Sequence, residues 1–249
     1  MKRWVGSALA GAAMTGIGLA ACVDTNSSIF VQGVLAPPSQ TQQGQACTYT
    51  PTAGANEFLY QGVLDIAFNN NYSPVLLVAS QLVPRGNANQ LRAESSRVVL
   101  QGAEVRITDS TNAELSTFTV LGSGYVDPAS GGSPGLGTFS ATLVDPATVE
   151  RLRPDVMANG SRRVIVYARV YGQTTGGVRV QTGEFQFPVT ICYGCLVTFP
   201  PDSVDLAQPK PNCLASTSQA NTVGTPCVYG QDQGIDCRLC QGNPVCTPR

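Results

Sequence analysis

The residues best suited to chemistry in this chain of 249 are its nine cysteines, and histidine, their commonest catalytic partner, is absent. Cys192-x-x-Cys195 and Cys237-x-x-Cys240 have the spacing of two metal knuckles, and four thiolates so arranged can hold zinc. The knuckles stand about 40 residues apart, longer than the roughly 15–20 usual in ribbon-type sites. The same spacing serves redox pairs, which need a βαβ context, whereas the sequence around these cysteines reads as strands. A third reading takes Cys47, Cys192, Cys195, Cys213, Cys227, Cys237, Cys240 and Cys246 as a disulfide framework of an exported protein. This is the reading adopted, with no metal and no cofactor expected. Eight cysteines can pair in 105 ways, so the connectivity stays open. Five of the eight lie beyond Pro201. Five is odd, so full oxidation requires a bond from that region to Cys47, Cys192 or Cys195.

Without histidine the chain cannot build a Ser-His-Asp or Cys-His centre, a c-type haem attachment or a histidine pH switch. Catalysis would fall to carboxylates, for instance a glycosidase pair. Asp65, Glu104, Asp127, Asp145 and Asp155 are scattered along the chain, in turns or on the polar sides of strands, and are expected to be solvated surface. Neither an Asp-x-Asp-x-Asp-Gly calcium loop nor a glycine-rich phosphate loop before a helix is present. The expectation is a non-enzyme with no catalytic residue; the alternative is a carboxylate-dependent hydrolase of glycan or cell wall.

The first residues carry the clearest address. Lys2 and Arg3 precede an uncharged stretch, 5–21, rich in Ala, Gly and Leu, as in a secretory signal peptide. Four glycines dilute it, and it is short for a membrane span, which needs about 20 strongly apolar residues. It closes on Leu19-Ala20-Ala21-Cys22, which resembles the lipobox of bacterial lipoproteins. The resemblance implies cleavage after Ala21, a diacylglycerol thioether on the Cys22 sulfur and acylation of the new amine. Two or three acyl chains anchor stably where one does not. Val23 stands where the inner-membrane retention signal has Asp, which implies the outer membrane, although Asp24 follows. The expected localisation is therefore exported and membrane-anchored.

Removing residues 1–21 leaves 228 residues with 13 basic and 16 acidic groups, and takes away Trp4, the only tryptophan. No basic run exceeds Arg162-Arg163, which argues against a nucleic-acid partner. The expected partners are the membrane, through the lipid on Cys22, and a protein of the cell envelope.

The elements that must position any site read as strands. Residues 22–58, with Pro37-Pro38 and a Gln-rich run, read as a tether holding a short edge strand over 29–34. Alternation at period two begins at Leu59. Leu64, Ile66 and Phe68 share a face opposite Asp65, and an apolar run spans 72–83. Val98 and Leu100 change parity with Val105 and Ile107 across Gln101-Gly102, the mark of a bulge. Phe118 and Val120, then Phe139, Ala141 and Leu143, make two more strands around a mobile Gly/Ser/Pro loop over 122–137. Asp145 caps a short helix that starts at Pro146 and stops before Pro154. Val164, Val166, Ala168 and Val170 alternate into a turn at 174–177, and Phe185, Phe187, Val189 and Ile191 lead to Cys192. The fold class is mainly β, an immunoglobulin-like β-sandwich of seven or eight strands and one short helix over 59–200. The Cys…Trp…Cys signature of true immunoglobulin domains is missing. Residues 201–249 form an irregular tail too poor in apolar groups for its own core and dependent on disulfides. The whole resembles Cys-rich envelope lipoproteins of GC-rich Gram-negative bacteria, a group largely without assigned activity; 13 Arg to 2 Lys fits that origin.

One surface follows from the alternation. With Val164, Val166, Ala168 and Val170 inward, Ile165, Tyr167, Arg169 and Tyr171 point outward, with Arg179 nearby. Tyr and Arg are enriched at protein interfaces, so Tyr167, Arg169, Tyr171 and Arg179 form the candidate interaction face. The competing expectation is that the tail or the helix covers it. The functional expectation is a non-catalytic, membrane-anchored binding or structural module.

Overall fold

The computed structural model describes residues 28–39, 47–52, 58–87, 93–214 and 223–247; Cys22 and the residues expected to form a leader before it lie outside them. The strands are β1 (Ile29–Leu35), β2 (Phe58–Leu59), β3 (Gly62–Asp65), β4 (Val75–Ser80), β5 (Val98–Asp109), β6 (Glu114–Val126) and β7 (Gly135–Ser140). Helix α1 (Pro146–Asn159) follows, then β8 (Ser161–Thr174), β9 (Arg179–Gln181) and β10 (Phe185–Cys192). In the Cys-rich region β11 (Val197–Thr198) and β12 (Ile235–Asp236) pair in parallel as a small second sheet. The fold is mainly β with one helix, and its main sheet has ten strands, more than the seven or eight read from the sequence.

That sheet runs β2-β1-β4-β7-β6-β5-β8-β10-β3, with β9 beside β8. Laid flat, β4 and β10 would stand five strand spacings apart, about 24 Å at ~4.8 Å each. Instead Tyr72, just before β4, stacks on Phe187 of β10 with ring centroids 6.3 Å apart. Apolar residues of β1, β4 and β7 also share one core cluster with those of β5, β8 and β10. The sheet therefore doubles over on itself. Two layers face each other, but they belong to a single hydrogen-bonded sheet.

The long strands give the molecule two poles. β8 starts at Ser161 and, at roughly 3.3 Å per residue, carries the chain about 45 Å to Thr174. At the Thr174 pole lie the start of β1, the end of β4, the start of β5 and the β8–β9 turn. At the Ser161 pole lie α1, the ends of β3 and β10, and the Cys-rich region. That region covers the free edge of β3: Asp65 N–H donates to Gly230 O at 2.8 Å and Asp232 N–H to Val63 O at 3.0 Å. An uncovered edge would offer a pairing template to other chains.

The bulge is present. Register slips between Leu100 and Gly102 in both the β5–β6 and β5–β8 pairs, and buried positions move from 98 and 100 to 103, 105 and 107. Three readings change. The strand placed in the tether is not an edge: β1 lies between β2 and β4, with Ile29 and Val34 fully buried. The expected loop over 122–137 is strand at both ends, 122–126 in β6 and 135–137 in β7, because its glycines allow backbones to approach; 127–134 connects the two strands. A Cβ on Gly137 would sit 1.9 Å from Tyr125 O and one on Gly124 2.3 Å from Thr138 O. The helix runs 14 residues and includes Pro154. Proline there loses one backbone donor, yet Val156 beyond it is fully buried in the core, and Gly160, at φ 81°, closes the end. The Asp145 carboxylate accepts from the Thr148 hydroxyl rather than from a helical N–H.

Candidate functional site

The alternation along β8 holds in full. Val164, Val166, Ala168 and Val170 are buried, while Ile165, Tyr167, Arg169 and Tyr171 are partly exposed on the opposite face. The register brings β5 alongside: Arg106 pairs with Tyr167, Glu104 with Arg169 and Gly102 with Tyr171. The Arg106 guanidinium lies 3.9 Å over the Tyr167 ring centroid and reaches Glu184 at 3.2 Å. Arg169 and Glu104 stand 3.8 Å apart. Tyr171 lies across Gly102, where any Cβ would come within 2.4 Å of its hydroxyl. Glycine at the bulge is thus what seats this ring.

Two depressions mark the face. The larger, about 670 Å³, is lined by Gln101, Glu104, Thr119, Tyr171, Arg179 and Gln181 among others. The smaller, about 180 Å³, holds Glu104, Arg106, Tyr167, Arg169 and Glu184. The four residues expected on the interaction face are thus brought together, with Glu104 common to both hollows. Among the described residues neither the helix nor the Cys-rich region lines them; α1 turns Val149, Leu152 and Val156 into the core instead. The expectation that these elements cover the face is corrected. Gln101, Glu104, Arg106, Thr119 and Glu184 were not assigned to the site by sequence. Glu104 and Arg106 could have been found as the outward complement of Val105 and Ile107, once the bulge reset the parity.

Arg and Tyr offer donors and flat rings, and Glu and Gln offer acceptors. Glu104 and Glu184 are the two carboxylates that share a hollow, and each pairs with an arginine. A hollow of 180 Å³ is smaller than the roughly 300–1,000 Å³ of ordinary ligand pockets.

The cysteines fall elsewhere. The pairs are Cys47–Cys227, Cys192–Cys195, Cys213–Cys237 and Cys240–Cys246. The two Cys-x-x-Cys motifs therefore do not face a common ion, and the link from the tail to the earlier trio is Cys47–Cys227. Among the described residues a grouping with metal-ligand geometry is Asp65, Cys192 and Cys195. Its sulfurs are bonded to each other, and its carboxylate accepts N–H groups from Ala67, Gly194 and Leu196 at 3.1, 2.7 and 3.0 Å. Asp65 is 0% exposed, which corrects its reading as solvated surface. Its outward side is covered by the turn that follows β10.

A second buried carboxyl ties the tail down. Asp232 accepts from Val63 N–H at 2.8 Å and from the Tyr72 hydroxyl at 2.9 Å. Burial outweighs these hydrogen bonds and pushes its pKa up to about 6. The Tyr72 hydroxyl is raised in turn, by burial first and by the Asp232 charge second. Asp236, next to Cys237, binds Arg238 at 2.7 Å, and Arg238 also reaches Asp202 at 2.7 Å.

Fold and site together define a disulfide-stapled, mainly-β protein with an open polar sheet face. No family model matches the sequence, and no curated protein matches it. Among solved structures, a protein from Archaeoglobus fulgidus is similar over 53% of this chain and 93% of its own, at 14% identity and a TM-score of 0.31. A likeness that slight carries no argument. Among the described residues no helix is long and apolar enough to cross a membrane.

Proposed function

We propose that this protein is a non-catalytic envelope lipoprotein, anchored through Cys22, whose β domain binds a protein partner on the Tyr/Arg face of β5, β6, β8 and β9. The observation that carries the reading is that face itself. Arg106 stacked on Tyr167, Arg169 with Glu104, and Tyr171 seated on Gly102 form a preordered, polar and partly exposed strip. Tyr and Arg are enriched at interface hot spots, and side chains already held by their neighbours lose less entropy when they bind. The lipobox at residues 19–22 supports the anchor, and four disulfides fit an oxidising compartment. The hydrolase reading finds two carboxylates, Glu104 and Glu184, in one small hollow, both held by arginines.

The test places a photo-crosslinking residue at Thr119 or Gln181 of the native lipoprotein in its own envelope. A discrete adduct that disappears in the Tyr171→Ala and Arg106→Glu variants is the expected result. Turnover of peptidoglycan or polysaccharide that is lost in Glu104→Gln or Glu184→Gln would overturn it in favour of the hydrolase.

A further inference from the structure

We propose that the Thr174 pole of the domain lies against the bilayer, with Val83 and Val178 in the headgroup layer of an anionic phospholipid surface and Arg85 and Arg179 against its phosphates. The inference rests on the lipid anchor at Cys22 and adds to it an orientation and a second contact. Chain length sets the first constraint. Ser28, the first described residue, lies at this pole, and six Cα steps separate it from Cys22. Fully extended, they reach about 20 Å. The opposite pole, about 45 Å away along β8, is out of reach of the lipid.

The pole carries the side chains such a contact needs. Val83 is 72% and Val178 62% exposed, on two turns flanking Ser28. They border a groove of about 570 Å³ that is also lined by Ser28, Leu82, Arg85 and Arg179. Neither Arg85 nor Arg179 is ion-paired among the described residues, whereas Arg97 nearby is held by Asp127 at 2.6 Å. The pole's other acid, Glu94, turns its carboxylate into the loop, where it accepts N–H groups from Arg85, Gly86 and Ser96. Apolar tips flanked by cations without an ion pair among the described residues suit an anionic lipid surface, which attracts each basic group brought near it. A side-on pose has its own apolar group, Leu121, 82% exposed on β6. That pose would press Glu104 and Glu184 toward anionic lipid, and the arginines beside them, Arg106 and Arg169, are already engaged with these two carboxylates. Standing on this pole, the domain holds Tyr167, Arg169 and Tyr171 lateral, with Arg179 where that face meets the pole, and the Cys-rich cap farthest from the membrane.

The mature chain has no tryptophan once Trp4 is removed, so a single introduced indole reports its own surroundings. Full-length lipidated protein, its Cys22 acylation checked by mass, is reconstituted into vesicles of phosphatidylethanolamine and phosphatidylglycerol with brominated acyl chains. Val178→Trp and, as an independent site, Val83→Trp should show blue-shifted emission and loss of intensity to the brominated lipid. Met157→Trp, on α1 at the other pole, and Leu121→Trp should show neither. Quenching at Leu121→Trp in place of Val178→Trp and Val83→Trp, or at no position, would overturn the orientation while leaving the anchor intact. An unacylated Cys22 would overturn the anchor, and this inference with it.

Discussion

At the scale of single residues, the buried acids are where the molecule departs most from a solvated β surface. Asp65 and Asp232 both bind backbone N–H groups, but they do different things. Asp65 holds the turn containing Cys195 to the end of β3, through Gly194 and Leu196. Asp232 docks the Cys-rich region against Val63 and Tyr72. Its pKa of about 6, against 3.8 for the free side chain, means that the folded state holds the proton more tightly than the unfolded state. That contribution is fully present below about pH 4 and is lost as pH rises through about 6. A shift of this size corresponds to about 3 kcal/mol. Glu94 and Asp109 shift the other way, lowered chiefly by the Gly86 N–H and by the Thr111 hydroxyl respectively, and they act equally in a comparison of variants. Asp232→Asn should therefore gain stability over the native protein as pH rises from 4 to 7, by up to about 3 kcal/mol. Urea unfolding of both proteins at the two pH values measures this. Parallel pH dependence would show that Asp232 is not the proton-binding group.

At the scale of elements, glycine placement decides how the strands of the doubled sheet pack. Gly124 and Gly137 let β6 and β7 cross closely, since a Cβ on Gly137 would meet Tyr125 O. A Cβ on Gly183 would point into open space, with nothing within 4 Å, and that residue has no positive φ. Gly137→Ala should destabilise by about 2 kcal/mol or more, while Gly183→Ala should stay within about 0.5 kcal/mol of the native protein. Thermal unfolding of the pair checks the contrast; equal stabilities would mean that β6 and β7 can separate freely.

The same elements show what sequence can and cannot carry. The β5 bulge and the inward and outward faces of β8 were legible because side chains alternate with period two and a bulge leaves a parity error. The tether reading of β1 failed because the polar residues around Pro37-Pro38 masked the pairing of residues 29–34 with β4, some 45 residues later. The loop reading of 122–137 was too long at both ends because glycine marks both flexible turns and close backbone crossings, and composition does not separate the two. Asp65 was assigned the correct side of its strand. What covers that side comes from Gly194 and Leu196, about 130 residues away, and no local pattern records so distant a contact. The Tyr/Arg cluster was half legible: Tyr167, Arg169 and Tyr171 follow from one strand, whereas Glu104 and Arg106 join them only through the register of β5 on β8.

At the scale of the whole molecule, chain order and covalent links set up a polarity. The sheet begins at one pole, and the Cys-rich region closes the other, packing Cys213, Cys237 and Cys246 into a small cluster of their own with Phe68 and Phe199. Cys47–Cys227 spans 180 residues, and in the chain-entropy model a loop this long stabilises by about 5 kcal/mol. Such a link supplies what the weakly apolar tail cannot, and it belongs to an oxidising compartment. The proposed function joins the open sheet face to a membrane tether, and that proposed tether rests on one cysteine. Mass spectrometry of the mature N-terminal peptide, isolated from the native membrane, tests it most directly. The account predicts a chain beginning at Cys22 and carrying a diacylglycerol thioether with an acylated amine. An N-terminus elsewhere, or an unmodified Cys22, would contradict it.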